Sequence, residues 1–281
     1  MNAQTNPHQM QRRCFIARLM AGTAAISSIA HARTPKAPPQ PRSKRTATPQ
    51  LAAPALRPMP LGSIKPRGWL QRQLRIQAEG LSGHLDEFWP DISQSQWFGG
   101  KADGWERAPY WLDGVIPLAW ALDDDTLKAK VQRYVEYIVR AQRPDGWYSV
   151  YPQGTAARTY DLWAILLVNK ALVQYHEATS DSSVLLAVLR NLRTLNESLD
   201  HTPLFNWGRF RWFEGLIPTY YAYEQTREKW LLELARKLHQ QGFDYASFYT
   251  TEDVTQPTPR RGLWRWDKHV VNTGMALKAY A

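Results

Sequence analysis

Cysteine is almost missing from this chain: there is one in 281 residues, Cys14. That excludes an intrachain disulfide, and beyond residue 14 it excludes a thiolate nucleophile or metal ligand. Also missing are a glycine-rich phosphate loop, a His-Glu-x-x-His run and a Gly-x-Ser-x-Gly elbow. Metal sites and serine nucleophiles therefore have no support in the sequence, and no cofactor is expected. Acids are missing from residues 1–58, which hold nine of the 35 Lys and Arg. The other 26 basic residues stand against 25 Asp and Glu, so the net charge of +10 belongs almost wholly to that first segment. A phosphate-binding surface needs its cations clustered on a folded face, so nucleic acid is excluded as a partner.

The first segment divides into a leader and a tether. Residues 1–32 place Arg12 and Arg13 ahead of a weakly apolar run that ends in Ala30-His31-Ala32. This pattern resembles a twin-arginine signal peptide, which implies contact with export machinery and a periplasmic or secreted destination. The apolar run is too short, and too rich in Gly, Ser and Thr, to form a stable membrane span. Residues 33–60 are rich in Pro, Ala and basic residues, a composition that favours extended chain over packing. They read as a disordered linker, with the folded domain at 61–281.

In that domain aromatics are plentiful, with 13 Trp and 13 Tyr in the chain. Both types offer an apolar ring and a polar tip, which suits cores and sugar-stacking sites alike. Helical periodicity dominates. "PRGWLQRQLRIQAEGL" brings Trp69, Leu70, Leu74 and Ile76 near helical spacing, and "DDDTLKAKVQRYVEYIVRAQ" does so with Leu127, Val131, Val135 and Ile138. The triplet Asp123–Asp125 suits a helix start. "YDLWAILLVNKALVQYHEAT" is apolar almost all round and reads as an inner helix, whereas "DSSVLLAVLRNLRTLNESL" is amphipathic. Apolar helices start near residues 110, 160, 210 and 269. A period of about fifty residues implies stacked helical hairpins, here an all-α toroid of the (α/α)6 type. Four inner helices fall short of six hairpins, so the expected domain is an incomplete, N-terminal part of such a barrel. The one expected β element is a hairpin within "RPDGWYSVYPQG".

A repeat marks one rim of this toroid. "YWLDGVIP" holds Asp113 four residues before Pro117, and "RWFEGLIP" holds Glu214 four residues before Pro218. Proline is comfortable in a helix's first turn and disruptive deeper inside. Either both acids precede their helices, or Pro109 begins the first helix and Pro117 kinks it, with Asp113 on the inner face. As caps the acids satisfy free N–H groups; as site residues they bind sugar hydroxyls or act as acid and base. The rim loops add Asp145, Trp147 and Tyr148, then Trp264, Trp266, Asp267 and His269.

The runs "PLGSIKPRGWLQRQL", "GWERAPYWLDGVIPLAWAL", "YIVRAQRPDGWY" and "YDLWAILLVNKALVQYHEAT", in that order, resemble glycoside hydrolase family 127, which includes β-L-arabinofuranosidases. The likeness covers residues 60–281. It implies an (α/α)6 barrel, bacterial secretion and a plant-type glycan as ligand. It also implies a cysteine nucleophile beside a zinc held by Cys and Glu, with a separate Glu as acid/base, but no cysteine after Cys14 exists to carry those roles. The family's His-Glu-Leu-Tyr…Gly-His run aligns with Tyr160-Asp161-Leu162-Trp163…Leu166-Leu167, where Asp161 keeps the charge and both histidines are replaced. His269, with Val271, matches a histidine that begins a later inner helix. The implied cleft is lined by Asp113, Asp161, Glu214 and His269 as catalytic candidates. Trp111, Trp147, Tyr160, Trp212 and Trp266 are its candidates for binding substrate.

Two other functions fit the same helices. One is a noncatalytic glycan-binding toroid. The other is a terpene-cyclase-like toroid, since "QRPDGWY" resembles the Gln…Asp-Gly…Trp repeat of that class and Asp123–Asp125 an acidic initiator. A capping role for the triplet and a twin-arginine leader count against the latter.

Overall fold

A computed structural model describes residue 51 and residues 58–252 and 265–280. The contacts divide the chain after Ala55, and the helices described below belong to the second unit, Leu56–Ala281. The export signal, Cys14, most of the proposed linker and Trp264 lie outside the described residues.

The second unit is built from helices, and no strand occurs among the described residues. It begins with α1 (Gly68–Glu79), α2 (Leu81–Phe88) and the single turn α3 (Pro90–Ser93). Two long hairpins follow: α4 (Arg107–Leu122) with α5 (Asp125–Arg140), then α6 (Trp163–Thr179) with α7 (Ser182–Ser198). The short α8 (Asn206–Phe210) leads to the hairpin of α9 (Leu216–Thr226) and α10 (Trp230–Gln241). Last come α11 (Tyr245–Thr251) and α12 (Val270–Met275). The helices α4, α6 and α9 pack side by side as an inner row, and α5, α7 and α10 cover them as an outer row. The inner helices start at 107, 163 and 216, and α12 starts at 270, close to the expected period.

Sequence patterning accounts for the two layers. On α5 the stripe Leu127, Val131, Val135 and Ile138 is buried and the opposite face is wet, as expected of an outer helix. Helix α6 is buried on nearly every side from Trp163 to Val173, apart from Lys170. The acid triplet closes one helix and opens the next. Asp123 takes a left-handed conformation (φ 56°) at the end of α4, and Asp124 accepts a hydrogen bond from the Leu127 N–H at the start of α5. That is capping chemistry, and it leaves the initiator reading without support.

Two expectations change. "RPDGWYSVYPQG" is a set of turns rather than a hairpin. Asp145 accepts from the Trp147 N–H, Gly146 sits at φ 85°, and the Gln142 side chain donates to the carbonyls of Gly146 and Ala187. The segment is thus clasped to α7 instead of pairing with itself. On α1, Trp69 and Ile76 are exposed, while Ala78 is buried and Leu74 half-buried. Helix α1 packs against α2 and α4 and leaves this face of Trp69 and Ile76 uncovered among the described residues.

Candidate functional site

The inner row carries one polar line. Glu106, Tyr110 and Asp113 follow each other by four and three residues, which places them on one face of α4 and its first turn. Opposite them, α6 contributes Trp163, Lys170 and Gln174. The Trp163 indole N–H donates to Glu106 at 2.7 Å, and Tyr110 packs against the Trp163 ring. Lys170 and Gln174 donate to the two oxygens of Asp113 at 3.1 and 2.5 Å.

The two acids of the repeat meet at Lys170. Its Nζ lies 3.4 Å from Glu214 Oε2, and Lys278 pairs with the other oxygen of Glu214. Burial pulls the Lys170 ammonium down, but the carboxylates of Glu214 and Asp113 outweigh it and hold its pKa above the usual lysine value. The acids nevertheless differ. Pro117 lies inside α4, so Asp113 sits mid-helix with about a fifth of its side chain exposed. Pro218 lies in the first turn of α9, so Glu214 precedes that helix in a 3-10 turn and is fully buried. Each alternative reading of the proline is correct for one copy. Neither Glu214 oxygen receives a well-aligned hydrogen bond despite its two ammonium neighbours. Asp113 has two accepted bonds for about four lone-pair positions, which leaves room for a ligand's hydroxyls.

Beyond Tyr110 the line ends at Arg211, a buried guanidinium. Its Nη1 donates to the Tyr110 hydroxyl at 3.0 Å and approaches Glu106 at 3.6 Å, while its Nε donates to Asn272 at 2.8 Å. The rings of Trp163 and Trp207 lie 4.5 and 4.4 Å from its charged carbon. A planar cation can stack and donate at once in this way. Burial raises the Tyr110 phenol pKa; Arg211 opposes this and the carboxylates of Glu106, Glu214 and Asp113 add to it.

The remaining candidates take structural places. Asp161 accepts from the backbone N–H groups of Trp163, Trp207 and Gly208. It brackets the starts of α6 and α8; burial raises its pKa, and those N–H groups partly offset the rise. His269 stands at the N-cap of α12, where its Nδ1 faces the Asn272 N–H at 3.4 Å, and its ring meets Trp207 edge to face. Burial, then Arg211, lowers its pKa. Asp267 pairs with Arg265. Trp111 and Trp212 are core residues whose indole N–H groups donate to the carbonyls of Ser82 and Phe243, so neither offers an open ring to a sugar. Trp147 stacks on Tyr151 at 3.8 Å, and the Tyr160 hydroxyl donates to the Gly104 carbonyl. Trp266 is half-buried among Trp207 and Phe210. Glu106, Tyr110, Lys170 and Arg211 were not legible as site residues. The spacing of Glu106, Tyr110 and Asp113 on α4 is a signal for the first two; Lys170 and Arg211 had none.

Among the described residues no three His, Cys, Asp or Glu cluster as metal ligands. None of those residues is a cysteine, so the donor set does not fit the thiolate-bound zinc that the resemblance implied. Residues 70–256 match the family model described as β-L-arabinofuranosidase, GH127 catalytic domain. No curated protein and no solved structure matches the chain.

Proposed function

The chain belongs to the GH127 β-L-arabinofuranosidase catalytic-domain family, an all-α (α/α)6-barrel family of glycoside-hydrolase type, and from that premise we propose that it is exported and holds a plant-type glycan along the polar line of its inner helices. One observation carries the reading. On a largely apolar inner row, two groups of hydrogen-bonding side chains follow one face of α4, Asp113 with Lys170 and Gln174, and Tyr110 with Arg211 beside Glu106, with Tyr110 exposed and Asp113 and Lys170 half-exposed. An apolar row interrupted by a few convergent polar groups is the usual make-up of a small-ligand site.

These residues supply binding rather than acid–base chemistry. Glu214 is sealed from solvent, and both oxygens of Asp113 already accept hydrogen bonds. The noncatalytic reading is therefore favoured for the described part of the chain. Export rests on Arg12 and Arg13 of the leader.

Saturation-transfer NMR of the full chain against arabinan-, xylan- and galactan-derived oligosaccharides tests the binding reading. Transfer to at least one oligosaccharide is expected, with loss of the signal in Tyr110→Ala. Absence of transfer to all three classes contradicts it. Cell fractionation tests export: replacement of Arg12 and Arg13 by Lys should retain the protein in the cytoplasm.

A further inference from the structure

The two glycines that follow the repeated acids do different work. Gly215 is enclosed, since a Cβ there would meet Leu166 at 3.0 Å and Leu238 at 3.1 Å. Packing alone explains it. Gly114 is exposed on the Asp113 side of α4, and a Cβ there would meet nothing within 4 Å. Its φ is not in the left-handed region, so the helix does not need it. A helix-interior glycine with neither packing nor conformational cause lowers helix stability relative to alanine.

Pro117 adds a second anomaly at the same place. It lies inside α4 and has no N–H, so the backbone carbonyl four residues earlier loses its helical donor. That carbonyl belongs to Asp113, whose side chain holds Lys170 and Gln174. Behind Lys170 stands the fully buried Glu214 carboxylate, which lacks an aligned hydrogen bond. In one turn of α4 the sequence thus removes a side chain and frees a backbone acceptor, beside the half-exposed end of the polar line.

We propose that Gly114 and the Asp113 carbonyl form the floor of a sugar subsite. A sugar ring lies against the bare backbone at Gly114, one hydroxyl donates to the Asp113 carbonyl, and neighbouring hydroxyls reach the Asp113 carboxylate and Gln174. Gly114 then determines specificity, because any larger side chain occupies the space of the ring. This inference rests on the glycan-binding reading of the same helices.

The test uses two substitutions that remove no polar side chain. In the full chain, Pro117→Ala restores an N–H that occupies the Asp113 carbonyl, and Gly114→Leu fills the floor. Both residues are better helix formers, so a purely structural role gives a higher Tm and unchanged affinity. The subsite gives a higher or equal Tm together with weaker binding of the oligosaccharide found by NMR. The loss is roughly tenfold for Pro117→Ala, as for one hydrogen bond, and complete for Gly114→Leu. If the wild type binds and both variants bind equally well, the subsite is wrong and the glycan-binding reading survives. If the wild type binds none of the oligosaccharides, both fall. Should Gly114→Leu fail to fold by circular dichroism, Gly114→Ala together with Pro117→Ala decides: unchanged affinity in both overturns the subsite.

Discussion

Asp113 and Glu214, 101 residues apart, one inside α4 and the other in the turn before α9, are joined by the single ammonium of Lys170, 3.1 Å from the first and 3.4 Å from the second. The middle helix α6 supplies the cation, so the sequence repeat closes in space around a third element. With Lys278 on the other oxygen of Glu214, two carboxylates and two ammonium groups balance there. Lys170→Met leaves Glu214 buried with Lys278 as its one remaining cation, and loss of one partner of a buried pair costs about 3 kcal/mol. Denaturant unfolding of the variant should show a lower midpoint with an unchanged slope.

The same lysine sets an alkaline limit. Its folded pKa is raised above 10.5 by Glu214 and Asp113 against the opposing effect of burial. The pair's contribution is therefore complete below the unfolded lysine pKa and is lost as pH rises through the folded value. Lys170→Arg keeps a cation that does not titrate in this range. Thermal melts between pH 9 and 11.5 should fall more steeply in the wild type than in Lys170→Arg.

Asp161 is a bracket, and its removal tests structure separately from binding. Three backbone N–H groups lose their acceptor in Asp161→Ala, at a cost of about 1–3 kcal/mol for buried donors left unsatisfied. Its Tm should drop by several degrees. Oligosaccharide affinity of the folded fraction should stay near the wild-type value.

Arg211 combines a hydrogen-bonding fork with two stacked indoles, and lysine reproduces neither geometry. Arg211→Lys should weaken oligosaccharide binding about tenfold by releasing the Tyr110 hydroxyl, a loss of the order of one charge-assisted hydrogen bond. Calorimetric titration reads the change directly. Unaltered affinity would show that Arg211 serves the packing of Trp163 and Trp207 alone.

The architecture was legible because it rests on local pattern: the stripe from Leu127 to Ile138 and the apolar run of α6 act within single helices, and the fifty-residue period within consecutive hairpins. The proline ambiguity was also visible, yet sequence spacing alone does not reveal that Pro117 lies mid-helix while Pro218 lies in a first turn. That depends on where each helix begins. The candidate site was harder to read. Trp111 and Trp212 have the chemistry of sugar platforms, but tertiary packing buried both. Lys170 and Arg211 look like ordinary surface cations in sequence, and only the meeting of α4, α6 and the turn before α9 gives them carboxylate and aromatic partners.

The central claim is that the two copies of the repeat have parted, with Asp113 serving a ligand and Glu214 serving the scaffold. The most direct measurement is a matched set of oligosaccharide affinities and unfolding free energies for Asp113→Ala and Glu214→Ala. Asp113→Ala should weaken binding at least tenfold with a stability loss of about 1 kcal/mol or less. Glu214→Ala should cost about 1–3 kcal/mol of stability while affinity stays within about twofold. Unchanged affinity in Asp113→Ala, or loss of affinity in a fully stable Glu214→Ala, would contradict it.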